Sequence, residues 1–250
     1  GGENVRPGLG RVPCMTDEAL LYDVSDSPFC IKARICLQLK EVPYRRVTVT
    51  LARAAELRRL NPKGQVPVLV DGSEVVPDSS AIARYLEQRY PTPALIPVDP
   101  AARAYCALIE GWADEVLYWI VGALKWQTPS NRAVVERTVD EVRGGWPRGL
   151  VFRALQWQVG RRFAALRLDP HRAPDLTLRL KENLGVLVGL LGEREFVLGR
   201  RPTLADVAVF AQIAWLRPYA EWSVVREVSG VAAWADRMLA IPAVAAALPS

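Results

Sequence analysis

Three short segments of this 250-residue chain combine residue types and spacings that can do chemistry. The first is Ser27-Pro28-Phe29-Cys30. Serine before proline marks a helix start, with Ser27 at the N-cap and Pro28 at the first helical position. Groups placed there meet the positive end of the helix dipole, and thiolates there are stabilised. Two roles stay open. The Ser27 hydroxyl could donate to the thiolate of a bound ligand, or Cys30 could itself be a reactive thiol. The plain alternative is that Ser27 only caps the helix and Cys30 is a small core residue.

The second segment is Asn61-Pro62-Lys63-Gly64-Gln65-Val66-Pro67-Val68-Leu69. Proline at the head of a strand removes a ladder donor. A cis Val66–Pro67 bond would turn the backbone of Val66 outward, where its N–H and C=O could pair with an extended peptide. The third is Pro77-Asp78-Ser79-Ser80-Ala81-Ile82. Ser79 opens a helix whose free N–H groups favour a carboxylate, and Asp78 beside it could take an ammonium group. Together they match the head of an α-amino acid; simple helix capping is the plain alternative.

The elements that must position these segments are readable from periodicity. Ala19–Asp23 reads as a buried strand, and a helix runs from Ser27 to about Lys40. Tyr44–Val49 alternates as a second strand, and Ala52–Leu60 is a short helical stretch. Val66–Val70 and Glu74–Val76 form a hairpin about Asp71-Gly72, and Ser79–Tyr90 is helical. The order β-α-β-α-β-β-α is a thioredoxin-like arrangement. Pro91, Pro93, Pro97 and Pro100 then mark a linker over residues 91–100. Beyond it strand signals stop. Ala101–Trp126, Asn131–Arg143, Val151–Leu168, Asp175–Leu191, a helix opened by Thr203-Leu204-Ala205-Asp206, and Val231–Ala240 all read as helices, punctuated at Gly144-Gly145-Trp146-Pro147 and Asp169-Pro170-His171. The fold class expected is α+β. A thioredoxin-like domain spans 18–90 and an all-helical domain 101–250, the latter enlarged at 127–174. Residues 1–17 form a tail, with Met15 a candidate natural start.

Composition excludes several functions. Hydrophobic residues make up 50% and charged residues 24%, so the chain can build a large core, and no apolar run is long enough for a membrane span. Cys14, Cys30, Cys36 and Cys106 are too scattered for a disulfide framework. With no CxxC pair and His171 as the sole histidine, no metal site is expected. Free thiols and the lack of a signal-peptide pattern point to the cytoplasm. Residues 131–181 hold eleven Lys+Arg against five Asp+Glu, or +6, so the rest of the chain sums to −1 of the net +5. That basic stretch could meet an anionic partner, or be a solvated arginine-rich face; no nucleic-acid motif accompanies it.

These segments resemble the soluble glutathione transferase superfamily, with a serine-type S-P-F-C pattern. Gln65-Val66-Pro67 matches the family's cis-proline loop, and Asp78-Ser79-Ser80-Ala81-Ile82 its Glu/Asp-Ser motif. Pro202-Thr203-Leu204-Ala205-Asp206 matches the capping box opening a buried helix. The resemblance covers about residues 18–126 and 175–242. It implies glutathione as co-substrate, Ser27 as the thiol-activating residue, and Phe29, Gln65, Val66, Pro67, Asp78 and Ser79 around the tripeptide. It implies a homodimer, and an electrophile lying against the helical domain, where Tyr118, Trp119 and Trp126 are candidates by position. Arg53 falls near a position that meets the glycine carboxylate in some relatives, and Tyr22 lies on the strand where some classes keep a catalytic tyrosine.

The sequence departs from the family's cysteine-type pattern, because Ser27 stands where those relatives begin with cysteine. Three functions follow. The first is activation of the glutathione thiol for attack on a hydrophobic electrophile. The second is glutathione-dependent disulfide reduction by Cys30 as nucleophile. The third is a non-catalytic scaffold that uses the basic 131–181 segment.

Overall fold

The computed structural model describes residues 18–165 and 173–249. The expected tail 1–17 with its Cys14, and the Asp169-Pro170-His171 break, lie outside the described residues. Strands β1 (Ala19–Asp23), β2 (Tyr44–Thr48), β3 (Val68–Asp71) and β4 (Glu74–Pro77) form one sheet in the order β2-β1-β3-β4. β2 runs parallel to β1, whereas β3 is antiparallel to both β1 and β4. The β3–β4 hairpin turns at Gly72, whose φ of +60° suits a residue without a Cβ.

Helices α1 (Pro28–Leu39), α2 (Ala54–Leu60) and α3 (Ser79–Arg89) complete the thioredoxin-like domain. The helical domain carries α4 (Pro100–Trp112), α5 (Tyr118–Gln127), α6 (Arg132–Val142), α7 (Arg148–Ala165), α8 (Ala173–Leu191), α9 (Leu204–Ala214), α10 (Trp222–Glu227), α11 (Ser229–Leu239) and α12 (Pro242–Ala246). The single helix expected over 101–126 is interrupted by a π-helical turn, Ala113–Leu117. Short helices α10 and α12 had no sequence signal of their own, being too brief for a period to show.

The domains share a core. α1 is buried on nearly every side, packed between α3 and the fully buried α9. Two cations on α1 bind the domains together. Lys32 Nζ reaches Glu110 at 2.6 Å and Asp114 at 2.7 Å, and Arg34 Nε donates to the Ala247 carbonyl at 2.7 Å. Arg34 also pairs with buried Asp23 at 2.7 Å. A charge this deep is tolerated because its donors are used. The capping pattern before α9 is formed. Asp206, fully buried, accepts from Thr203 N at 2.9 Å, Val197 N at 2.8 Å and Trp234 Nε1 at 3.1 Å.

Candidate active site

A cleft of about 750 Å³ opens between the two domains, and it draws on all three segments singled out in the sequence. Ser27, Phe29, Gln65, Val66, Pro67, Asp78 and Ser79 all line it. Cys30 does not.

Ser27 is the N-cap residue of α1, yet its side chain makes no capping hydrogen bond. Its hydroxyl is therefore left at the positive end of the helix, half-buried in the cleft wall. Cys30, one turn further in, is fully buried. Burial pushes its thiol up to about 12, with Asp23 adding to the rise and the Ser27 hydroxyl opposing it. A thiol so placed is almost wholly protonated at neutral pH. Helix position alone would lower its pKa; desolvation outweighs the dipole here.

The Val66–Pro67 bond is cis, as the strand-initial proline suggested; a second cis bond, Thr92–Pro93, was not anticipated. The Pro67 carbonyl accepts from Asp78 N at 3.1 Å, joining the second and third segments. Asp78 has φ +82° and ψ 135°, outside the left-handed helical region, a strained backbone for a residue with a side chain. Its Oδ1 accepts from Ser80 N at 2.9 Å and Ala81 N at 3.0 Å, so the capping role is real. Both bonds use one oxygen, which leaves Oδ2 for the cleft. Ser79, the first residue of α3, is buried. An anion there would meet the positive end of the helix, although the N–H groups of Ser80 and Ala81 are already taken by Asp78.

The opposite wall comes from the helical domain: Asp114, Glu115, Tyr118, Trp119, Gln158 and Arg162. The Phe29 ring lies 4.8 Å from the Tyr118 ring, which in turn meets Trp119 edge-on at 4.8 Å. Tyr118 has a raised pKa through burial, with Arg162 opposing. Asp114 is likewise raised by burial, although Lys32 pulls it down. Beneath the cleft, Lys32 Nζ also donates to Ser80 Oγ at 2.9 Å, tying the start of α3 to the same ion cluster.

Several expected placements are corrected. Trp126 is not in the cleft; it packs toward Lys125, whose ammonium lies 5.4 Å from its ring. Arg53 pairs with Glu56 at 3.2 Å outside the cleft, whereas Lys63 lines it. Tyr22 donates to Glu56 Oε1 at 2.8 Å and does not line the cleft. In the basic 131–181 stretch, Arg132, Arg143, Arg148 and Lys181 form ion pairs with neighbouring carboxylates.

Asp114, Glu115, Gln158 and Arg162 were missed. The π-helical turn breaks the helical period around 113–117, and no pattern in α7 singles out its cleft-facing side. Among the described residues no cluster of His, Cys, Asp and Glu could hold a metal ion, and no helix is long and apolar enough to cross a membrane.

Comparisons with known proteins agree with this geometry. Residues 21–94 match the glutathione S-transferase N-terminal domain and residues 170–237 the C-terminal domain. Protein LigF of Sphingobium sp. is 26% identical over 242 residues, covering 90% of each chain. The crystal structure of β-etherase LigF from that genus superposes with a TM-score of 0.69 at 23% identity, covering 92% of this chain and 98% of that one. Glutathione S-transferase Z1 of Arabidopsis thaliana is 40% identical over 88 residues, which are 34% of this chain and 40% of that protein. Matching both domains of one family in order, and sharing its fold almost from end to end, the chain belongs to the soluble glutathione transferase superfamily.

Proposed function

We propose that the protein binds glutathione in the interdomain cleft and activates its thiol for attack on a hydrophobic electrophile. The observation that carries this reading is the convergence of three groups on one wall. These are a Ser27 hydroxyl not used for capping, the Val66 main chain, and Asp78 Oδ2 beside the α3 N-terminus. In this reading Asp78 Oδ2 takes the γ-glutamyl ammonium and Ser79 its carboxylate. Val66 pairs with the cysteinyl backbone, and Gln65 and Phe29 flank the tripeptide. Lys63 takes the glycine carboxylate.

A free thiol titrates near 8.5, so glutathione is mostly protonated at neutral pH. Donation from the Ser27 O–H, together with the α1 dipole, stabilises the thiolate as the proton leaves to solvent. The sulfur lone pair then forms a C–S bond at the electrophilic carbon. A leaving group departs with its bonding electrons, or an adjacent carbon takes up a proton from solvent. The electrophile lies against Tyr118 and Trp119. This chemistry uses no metal. Relatives with this N-terminal domain are named glutathione S-transferases and maleylacetoacetate isomerase, and LigF is named a β-etherase, which favours enzymatic use of the cleft.

Two other readings are less well supported. Disulfide reduction needs Cys30 as a thiolate, and its burial opposes that. A scaffold working through 131–181 would need free cations there, and several are paired internally.

The domain limits proposed are 18–90 and 101–250, joined by 91–100, and the compartment proposed is the cytoplasm. A homodimer is also proposed. Tyr105 and Leu108 on α4 are 60% and 69% exposed, and Val116 follows on the same stripe; such a patch is unusual unless covered. Sedimentation should give a dimer at micromolar concentration, and a persistent monomer would reject it. The activity is tested by calorimetric titration with glutathione followed by a panel of haloaromatics, activated alkenes and aryl ethers. Binding with at least one conjugate formed supports the reading; a chain that does not retain glutathione at millimolar concentration refutes it.

A further inference from the structure

The enlarged part of the helical domain carries a surface that the cleft does not use. From Val142 to Ala165 the chain holds five arginines and neither aspartate nor glutamate. α7 occupies most of this stretch, and its two sides differ. Val151, Phe152 and Phe163 are buried. Leu150, Arg153, Ala154, Trp157 and Arg161 are exposed, and their spacing places them on the opposite side within about 100° of arc. Trp146, just before the helix, is 55% exposed, and Leu150 and Trp157 are 57% and 65% exposed. Two indoles and a leucine left in water along one line are unfavourable unless something covers them.

The charges around this line have one sign. Arg143 and Arg148 are spent on Asp140. Arg153 has no ion pair with a described residue, and Arg161 lies over the Trp157 ring at 4.8 Å with no described carboxylate paired to it. The complementary surface is therefore apolar in its middle and anionic around it. A second copy of this chain does not fit, because a symmetric contact would set Arg153 and Arg161 against their own counterparts. An anionic bilayer does fit. Indoles favour the headgroup boundary, and arginine stems lie along apolar surface while their guanidiniums reach lipid phosphates.

We propose that the exposed side of α7 docks the protein on bilayers rich in anionic lipid. Trp146, Leu150 and Trp157 enter the boundary between headgroups and acyl chains, and Arg153 and Arg161 meet phosphates. The contact lies on the membrane and does not cross it, as no described helix is long and apolar enough to span. Gln158 and Arg162 of the same helix line the cleft, so the docked face sits beside the cleft's helical wall.

The test is co-sedimentation of the full chain with sucrose-loaded vesicles of phosphatidylcholine alone, or of equimolar phosphatidylcholine and phosphatidylglycerol. At about 0.05 M salt the chain should sediment with the anionic vesicles and stay in solution with the neutral ones, and about 0.5 M salt should release most of it. Arg153→Gln/Arg161→Gln should weaken partitioning about tenfold or more. Leu150→Ser/Trp157→Ser, which keeps every charge, should do the same. Arg200→Gln/Arg201→Gln removes two exposed arginines elsewhere and should change partitioning little, which separates this face from the net charge of +5. Brominated phosphatidylcholine in the anionic vesicles should quench tryptophan fluorescence of the unmodified chain, and much less that of Trp146→Phe/Trp157→Phe. All replaced side chains are exposed, so the variants should fold; an unchanged melting temperature confirms it. No sedimentation with anionic vesicles, equal sedimentation with neutral ones, or equal losses in the α7 and Arg200/Arg201 variants would each overturn the proposal. So would retention on immobilised polyglutamate with none on vesicles, which would assign the face to an acidic protein. No arm involves glutathione, so the outcome stands apart from the chemistry of the cleft.

Discussion

The backbone N–H of Asp78 donates to the carbonyl of Pro67 at 3.1 Å. That bond makes the cis-proline loop and the start of α3 one unit, so the surfaces assigned to the cysteinyl and γ-glutamyl parts of glutathione are held in register. Neither segment would define the site alone, since a strand-initial proline and a capped helix are common separately.

Asp78 does two jobs with two oxygens, and substitution can separate them. Asp78→Asn retains an oxygen for the cap and the same side-chain shape, but loses the charge. It should weaken glutathione about tenfold or more with little change in melting temperature. Asp78→Ala should weaken glutathione similarly and also cost about 1 kcal/mol of stability as the cap is lost. Calorimetry and urea unfolding on both variants check this; unaltered affinity in Asp78→Asn would remove Asp78 from the ligand site.

Lys32 holds Glu110, Asp114 and Ser80 at the domain junction. Lys32→Met leaves two carboxylates without their counter-charge, at a cost of about 3–5 kcal/mol near neutral pH. Asp114 already titrates above 3.8, chiefly through burial, while Lys32 holds it down. A carboxyl whose folded pKa exceeds its unfolded value contributes stability in acid, lost as pH rises through the folded value. Removing the ammonium enlarges that rise. The variant's deficit should therefore be smaller at about pH 5 than at about pH 8, and denaturant unfolding at both will show it.

The three described cysteines are all buried, and burial pushes the thiols of Cys30 and Cys36 up to about 12 and that of Cys106 to about 11. In a Cys14→Ser background the native protein should show no fast-reacting thiol toward a chromogenic disulfide, while unfolded protein should show all three. Cys30→Ser should keep glutathione conjugation. Rapid labelling of Cys30 in the native state would restore the reductase reading.

Much of the thioredoxin-like half was legible because its signals are local. Ser27-Pro28 marks a helix start, Asp71-Gly72 a hairpin and Asp78 a cap, and each is read within four residues. The rest depends on contacts distant in sequence. Nothing beside Lys32 or Arg34 shows that their partners are Glu110, Asp114 and the Ala247 carbonyl. α1 reads as amphipathic, yet it packs against both α3 and α9 and is buried on nearly every side. The π-helical turn shifts Asp114 and Glu115 into the cleft against the regular period. Cys30 was ambiguous because helix dipole and burial act oppositely on one thiol, and only the packing says which is larger.

The central claim is that the Ser27 hydroxyl holds the glutathione sulfur as a thiolate, and the ultraviolet absorbance of that thiolate, titrated with pH in the binary complex, measures it directly. The bound thiol should titrate about two units below the free value near 8.5. In Ser27→Ala it should return most of the way, with glutathione affinity changed only a few-fold and conjugation down ~100-fold. A bound thiol that titrates at the free value in the unmodified protein, or identically in both proteins, would contradict the account.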